Sequence, residues 1–386
     1  LRLALLAFGD YFLSMIDDSS AWYQVRDHSA VPSPALLVYP ERIVANLRAM
    51  IRVASGPQRL WPHVKTHKLP EIVRLKLAEG ITQFKCATIA EAEMVAGCGA
   101  PQILVAYQPV GPNVQRLLAL IRAFPGTEFA TLVDNAASIR VLSAAAASAG
   151  LTVRVLLDLD CGMGRTGIPP GSEAAGLYRM AAGLPGLIPA GLHAYDGHLS
   201  DPDESARTAA ARAGMAPVKR LRDRLQGEGL PVPRIIAGGT PTFPIHAQDP
   251  ELDCSPGTNV LWDGHSAARI PHQPFIFAAA LLTRVVSVPG PHRLCLDLGH
   301  KAVAAEHSFP RVALLGLPDA KFLIHSEEHL VIESPRAADY QVGDAIYGIP
   351  WHICPTVALH ARAVPIVNGS AGIPWAVRAR DRVLTI

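Results

Sequence analysis

Thr152-Val-Arg-Val-Leu-Leu-Asp158-Leu-Asp-Cys-Gly-Met-Gly-Arg165-Thr-Gly167 decides the fold. Its first half is an apolar, β-branched run that reads as a strand. Its second half is a glycine-rich loop, the kind found where a backbone leaves a strand and passes close to another group. The same alternation recurs outward in both directions. Strands are expected at Ala35–Tyr39, Phe84–Ala87, Gln102–Ala106 and Glu128–Val133 on one side, and at Ile188–Ala194 and Arg234–Ala237 on the other. Helical patterns fill the gaps at Glu41–Val53, Leu69–Glu79, Ile89–Ala96, Asn113–Ala123, Asn135–Ala149 and Ser172–Ala182. Short apolar strands separated by helices predict parallel βα units. Seven or eight such units predict an α/β fold closed into a (β/α)8 TIM-like barrel, with functional residues at the C-terminal ends of the strands.

The texture changes near Pro271. From Phe275 onward come short β-rich runs at Ala280–Val288, Arg293–Leu298, Lys321–Ile324, Leu330–Glu333 and Ala345–Gly348, separated by Pro, Gly and His, with no long helix among them. The expected division is a barrel over 33–270 and a mostly antiparallel C-terminal β domain over 271–386, the latter joined by N-terminal residues 16–32.

Composition narrows the function. The chain has 386 residues, 49% of them apolar, enough for a large buried core. Lys plus Arg is 35 against Asp plus Glu 33, so no basic excess exists to drive nucleic-acid binding. Six scattered cysteines form neither a disulfide scaffold nor a structural zinc motif, which points to reduced thiols and a cytoplasmic setting. The run Leu1–Met15 has a weak resemblance to a secretory signal, but Gly9-Asp10 interrupts it, and a misassigned start before Met15 explains it equally well. No later stretch is long and apolar enough for a membrane span.

Three regions carry candidate chemistry. In His63-Val-Lys65-Thr-His67-Lys68, alternation along an extended segment would put His63, Lys65 and His67 on one face. A lysine there could form a Schiff base with an aldehyde cofactor; a solvated basic loop is the competing reading. In the glycine-rich loop, Arg165 could contact an anionic oxygen, or merely form a salt bridge. The loops Ala237-Gly-Gly-Thr-Pro-Thr242 and Ser255-Pro-Gly-Thr258 offer amides and hydroxyls for one phosphate, without the spacing of a nucleotide P-loop. Near the C-terminus, His352-Ile-Cys354 in an extended segment would aim one imidazole and one thiolate at the same ion, a donor pair that suits zinc. His307, His325, His329 and His360 are candidate neighbours, and a buried, metal-free pair is the competing reading.

Together these motifs resemble the fold-type III pyridoxal-phosphate enzymes, in particular the family of D-threonine aldolase, D-serine dehydratase and 3-hydroxy-D-aspartate lyases, whose barrel is of the alanine racemase N-terminal type. The resemblance runs from Pro34 to the end. It rests on Pro62-His-Val-Lys-Thr-His-Lys68, Gly162-Met-Gly-Arg-Thr-Gly167, Gly191-Leu-x-Ala-Tyr-x-Gly197, Gly238-Gly-Thr240, Gly257-Thr258, Leu296-Asp-x-Gly-x-Lys301, Ser326-Glu-Glu-His329 and His352-x-Cys-Pro-Thr356, in that order.

The resemblance implies that Lys65 is the Schiff-base lysine, with His63 beside the cofactor, Arg165 near its phenolic oxygen or Lys65, and Tyr195 lining the pocket. It implies that Gly239, Thr240, Gly257 and Thr258 bind the phosphate, and that Asp263 shapes the entrance. His352 and Cys354 would hold a divalent metal, zinc first, with manganese or magnesium as alternatives. It further implies a homodimer acting on a small D-amino acid. Two lyase reactions fit: dehydration of a β-hydroxy-D-amino acid to a 2-keto acid and ammonia, and aldol cleavage to glycine and an aldehyde. The His-x-Cys pair resembles the D-serine dehydratase branch, whereas the aldolases typically carry His-x-Asp, so dehydration of D-serine, D-threonine or 3-hydroxy-D-aspartate is the first expectation. A racemase lacks a placeable second acid/base. A non-enzymatic cofactor-binding protein with the same barrel would lack the β domain.

Overall fold

The computed structural model describes residues 21–386. The expectations for Leu1–Met15, and for residues 16–20 as part of the β domain, lie outside the described residues. The chain divides into two compact units. One comprises Leu47–Lys65, Pro70–Gly257 and Asp381–Ile386; the other comprises the described residues up to Asn46, Thr66–Leu69 and Thr258–Arg380.

The first strand among the described residues, β1 (Ala35–Val38), belongs to the sheet of the other unit and not to the barrel. The barrel unit is a parallel sheet in sequential order: β2 (Gln83–Cys86), β3 (Gln102–Val105), β4 (Glu128–Val133), β5 (Val153–Asp160), β6 (Leu187–Tyr195), β7 (Ile235–Ala237) and β8 (Asp253–Cys254). The segment Leu60–His63 fills the gap between the last strand and the first. Leu60 bridges Cys254 and His63 bridges Lys85, both in parallel. The Trp61 and His63 amides donate to the carbonyls of Cys254 and Pro256, and the Lys85 amide donates to that of Pro62. This closes the ring and places the eighth strand position immediately before Lys65.

Strand alternation sorts the side chains of the barrel. Ile103, Val105, Phe129, Val133, Leu157 and Leu192 pack outward with the helices, while Trp61, Leu104, Ala130, Leu132, Leu156, Ala190 and Ile236 form a separate inner cluster. Fully burying a side chain such as Leu156 contributes about 1.5–3 kcal/mol. The helices start where local chemistry dictates. Thr88 accepts the Glu91 amide at 3.1 Å while Glu91 Oε2 accepts the Ala87 amide at 2.6 Å, which fixes the start of the helix Ile89–Ala96. Asn135 and Asp203 cap Ala136–Ser148 and Glu204–Gly227 in the same manner. The 24-residue helix Glu204–Gly227 is absent from the sequence expectation because Gly214 and Pro217 interrupt a polar stretch that otherwise has a weak apolar face. No described helix is long and apolar enough to cross a membrane.

The other unit is a mostly antiparallel ten-stranded sheet. It contains β9 (Ala279–Gly290), β10 (Arg293–Leu296), β11 (Val312–Leu314), β12 (Lys321–His325), β13 (Leu330–Glu333), β14 (Ala345–Pro350), β15 (Arg362–Val367), β16 (Ser370–Ala371) and β17 (Trp375–Ala376). β1 lies between β9, antiparallel to it, and β15, parallel to it. Ala35–Val38 therefore belongs to this sheet, whereas in sequence it reads as the opening strand of the barrel run. All four residues are buried, and an apolar run of that length suits a barrel strand and a central sheet strand equally.

Candidate active site

Lys65 does not sit in an extended segment. It lies in the 3-10 turn Val64–Thr66 directly after the closing segment, so the expected alternation of His63, Lys65 and His67 is replaced by a tight turn. The Lys65 amide donates to His63 Nδ1 at 3.3 Å. His63 is buried, and burial, followed by the charges of Lys65, Lys85, Lys76 and His193, holds its pKa well below the ordinary imidazole value.

Three basic side chains surround one aromatic ring in this unit. Lys65 Nζ is 5.7 Å, Lys85 Nζ 5.2 Å and Arg165 Cζ 4.7 Å from the centroid of Tyr195. Arg165 is presented by the loop after β5. There Asp160 Oδ1 accepts the Gly162 and Gly164 amides at 2.9 and 3.0 Å, and the chain returns to the strand through Ile168. Gly167 makes that return possible, because a Cβ there would lie 2.7 Å from the Leu159 carbonyl carbon and φ is +92°. Tyr195 depends on a second glycine: a Cβ on Gly197 would meet its hydroxyl at 2.0 Å.

The phosphate-loop candidates are held by buried polar groups. Asp196, which follows Tyr195, accepts from Thr242 Oγ1 at 2.6 Å and contacts His246 Nε2 at 2.7 Å; the Gly239 amide donates to Thr242 Oγ1 at 3.3 Å. The Gly257 amide donates to Thr240 Oγ1 at 3.2 Å, so Gly239, Thr240 and Gly257 are brought together. Thr258 opens the next turn, with its hydroxyl 3.7 Å from Cys354 Sγ.

Two inward-facing groups were missed in the sequence. Lys85 stands between the outward-packed Phe84 and Cys86 and donates to Ser255 Oγ at 2.9 Å. Burial, then the nearby Lys65 charge, pushes its pKa down to about 7. His193, between Leu192 and Ala194, contacts Asp158 Oδ1 through Nδ1 at 2.6 Å, while Asp158 Oδ2 accepts from Gln108 at 2.9 Å. His193 Nε2 is buried and has no hydrogen-bond partner. The period-2 alternation of β2 and β6 was the signal available for both.

The His352-x-Cys354 segment is also not extended. His352 precedes the helix Ile353–Leu359, whose first amide donates to Asp263 Oδ2 at 3.0 Å, and Thr356 Oγ1 donates to the His352 carbonyl at 2.8 Å. Pro355 is tolerated in the first turn because its missing N–H has no intrahelical partner there. Asp263 also accepts the Ser266 amide at 2.8 Å and is buried, so its carboxylate is a joint between loops rather than an entrance.

His352 Nδ1 lies 2.5 Å from Glu306 Oε1, and His307 Nε2 lies 3.8 Å from the same oxygen. Donor atoms of Glu306, His307 and His352 all fall within 4.8 Å of one another, a spacing that can hold a cation. Burial lowers the His352 pKa, but the hydrogen bond and charge of Cys354, with Asp263 and Glu306, outweigh it and hold the value at about 9. Cys354 Sγ is 3.2 Å from Thr66 Oγ1. Of the candidate neighbours, His307 joins this cluster, whereas His325 contacts the Leu298 carbonyl and His360 that of Ala302. Glu306 was missed because it lies in an irregular loop with no periodicity to mark it.

These groups fit a pyridoxal phosphate in the barrel. An amine follows the last strand position, two small-residue loops converge, a ring is flanked by basic side chains, and a buried imidazole nitrogen lacks a partner. The imidazole and carboxylate donors of His307, His352 and Glu306 likewise fit a divalent metal.

Comparison with known proteins gives the family of the chain. The family model described as "Alanine racemase, N-terminal domain" matches residues 38–255, and that described as "Putative serine dehydratase domain" matches residues 278–366. The chain is 31% identical over 360 residues to D-threonine aldolase from Arthrobacter sp, covering 91% of this chain and 93% of that protein. It is 30% identical over 370 residues to 3-hydroxy-D-aspartate aldolase from Paracoccus denitrificans (strain Pd 1222), covering 92% and 94%. The crystal structure of D-threonine aldolase from Filomicrobium marinum superposes with a TM-score of 0.85 at 28% identity, covering 92% of this chain and 97% of that one.

Proposed function

Because this chain belongs to the alanine racemase N-terminal-domain family and to its lyase branch, we propose that it cleaves β-hydroxy-D-amino acids between Cα and Cβ, giving glycine and an aldehyde. The observation that carries this reading is the match, over more than nine-tenths of the chain, to two aldolases named for such substrates. The chain is a lyase of the pyridoxal-phosphate type.

Lys65 would hold the cofactor, with Gly239, Thr240, Gly257 and Thr258 on its phosphate and Arg165 and Tyr195 against its ring. When bound, the cofactor supplies a conjugated sink for electrons released at Cα. His352 and Cys354, with Glu306, would hold a divalent metal, zinc first, that supplies Lewis acidity. His307 takes the proton of the β-hydroxyl, the Cα–Cβ bond breaks, and Lys65, in its ammonium form, returns a proton to Cα to complete glycine. Arg165 keeps positive charge at the anionic oxygens throughout. We read the working unit as a homodimer in the cytoplasm.

Cys354 favours a second reading, β-elimination. Here Lys65 removes the Cα proton, hydroxide departs, and the product hydrolyses to a 2-keto acid and ammonia. Product analysis of metal-loaded enzyme with D-threonine and D-serine separates the two. Glycine with an equal amount of aldehyde supports cleavage, whereas a 2-keto acid with equal ammonia replaces it by elimination.

A further inference from the structure

Lys85 takes part in no step above, yet it is buried at 2% exposure inside the barrel. Its amine donates to Ser255 Oγ at 2.9 Å, and Ser255 donates to the Gly238 carbonyl at 2.8 Å. The loop carrying Gly257 is thus one hydrogen bond from this buried amine, through Ser255, and the loop carrying Gly239 and Thr240 is two.

Titratable groups face Lys85 from the closing segment, from β5 and its loop, and from β6. Lys65 and His63 approach from the closing segment and its turn, Arg165 from the glycine-rich loop, and His193 and Tyr195 from β6. The nearby carboxylates are Asp158 and Asp196, and both are engaged elsewhere, Asp158 by His193 and Gln108 and Asp196 by Thr242 and His246. Among the described residues no carboxylate forms an ion pair with Lys85. A proton on this amine would therefore be an uncompensated buried charge beside two other cations until an anion arrives.

We propose that Lys85 is the proton acceptor of cofactor loading: neutral in the cofactor-free protein, it takes a proton when the dianionic phosphate enters the two loops, and the resulting ammonium fixes them through Ser255. Burial keeps its pKa low beforehand, at about 7, and a dianion nearby raises it. The inference rests on the pyridoxal-phosphate reading and makes Lys85 a positioning residue, not the amine that bonds the cofactor.

The test uses the full chain freed of cofactor and titrated calorimetrically at alkaline pH with pyridoxine 5′-phosphate, which has no aldehyde and cannot bond Lys65. Heats in buffers of different ionisation enthalpy give the protons exchanged. Uptake of about one proton per site is expected, with inorganic phosphate giving the same sign and unphosphorylated pyridoxine giving none. Lys85→Met should abolish the uptake and weaken binding about 10-fold near neutral pH, flattening its pH dependence. Ser255→Ala should keep the uptake. A wild-type protein that binds without proton uptake overturns the inference whatever the variants do. So does uptake driven by pyridoxine alone, or a Lys85→Met protein with wild-type uptake. If the wild-type protein binds no phosphorylated ligand, the cofactor reading itself fails.

Discussion

His193 and Asp158 meet across 2.6 Å between Nδ1 and Oδ1, both buried, and the second imidazole nitrogen meets no protein group. Burial lowers the His193 pKa, while hydrogen bonds from His193, Thr166 and Gln108 outweigh burial and lower that of Asp158. The imidazole is therefore neutral and the carboxylate ionised. Nδ1–H donates, and Nε2 is left as a bare acceptor inside the barrel, set in that tautomer by a residue from the neighbouring strand.

Asp158→Asn removes the charged acceptor that His193 and Gln108 share. It should destabilise the protein by about 1–3 kcal/mol in urea unfolding. A variant as stable as the wild type, with the same His193 tautomer by nitrogen NMR, would show that the pair does not organise the interior.

Acid should loosen the barrel before carboxylates in general titrate. His63 and His193 have folded pKa values below the unfolded imidazole value, so the stability they contribute is present above about pH 6.5 and is lost as pH falls through the folded values. The melting temperature should drop between pH 7 and pH 5, and less steeply when His63 is replaced by Gln. An unchanged slope in that variant would remove His63 from the account.

Lys65→Ala should abolish both turnover and the visible absorbance of the lysine-bound cofactor, while leaving the fold intact by circular dichroism. Retention of both signals would require another amine to carry the cofactor, and reductive trapping followed by peptide mapping would identify it.

Cys354→Ala and Glu306→Gln should each lower metal content and activity while sparing cofactor absorbance, since neither residue belongs to the barrel unit. The two variants also test whether the carboxylate, unforeseen in the sequence, matters as much as the thiolate. Loss of cofactor with unchanged zinc content would contradict this division.

Leu156→Ala opens a cavity in the inner cluster and should cost about 2–5 kcal/mol by denaturant unfolding. A loss below 1 kcal/mol would mean that the interior collapses around the smaller side chain.

Much of this architecture was legible because strands and helices carry their own periods: Glu128–Val133 and Ile89–Ala96 stand where the pattern puts them. What escaped was fixed by distant partners. Leu60–His63 contains Pro62 and has no alternation, yet it is a barrel position because Cys254 and Lys85 flank it. Ala35–Val38 has a clear strand pattern that says nothing about which sheet receives it. The motif singles out Lys65 as a candidate, but the expected extended geometry gives way to a turn. Lys85 and His193 were readable as inward-facing from their strands but carried no motif, and Glu306 had neither period nor motif.

The seam of the barrel also sets an order of events. Trp61 Nε1 donates to Asp253 Oδ2 at 3.0 Å across 192 positions of chain, and Lys65 follows that contact by four residues. A nascent chain on the ribosome cannot complete the seam until the region around Asp253 has emerged. Contacts of such separation form slowly. Under the role proposed for Lys65, cofactor attachment would be a late event, and the appearance of cofactor colour during refolding would time the closing of the ring.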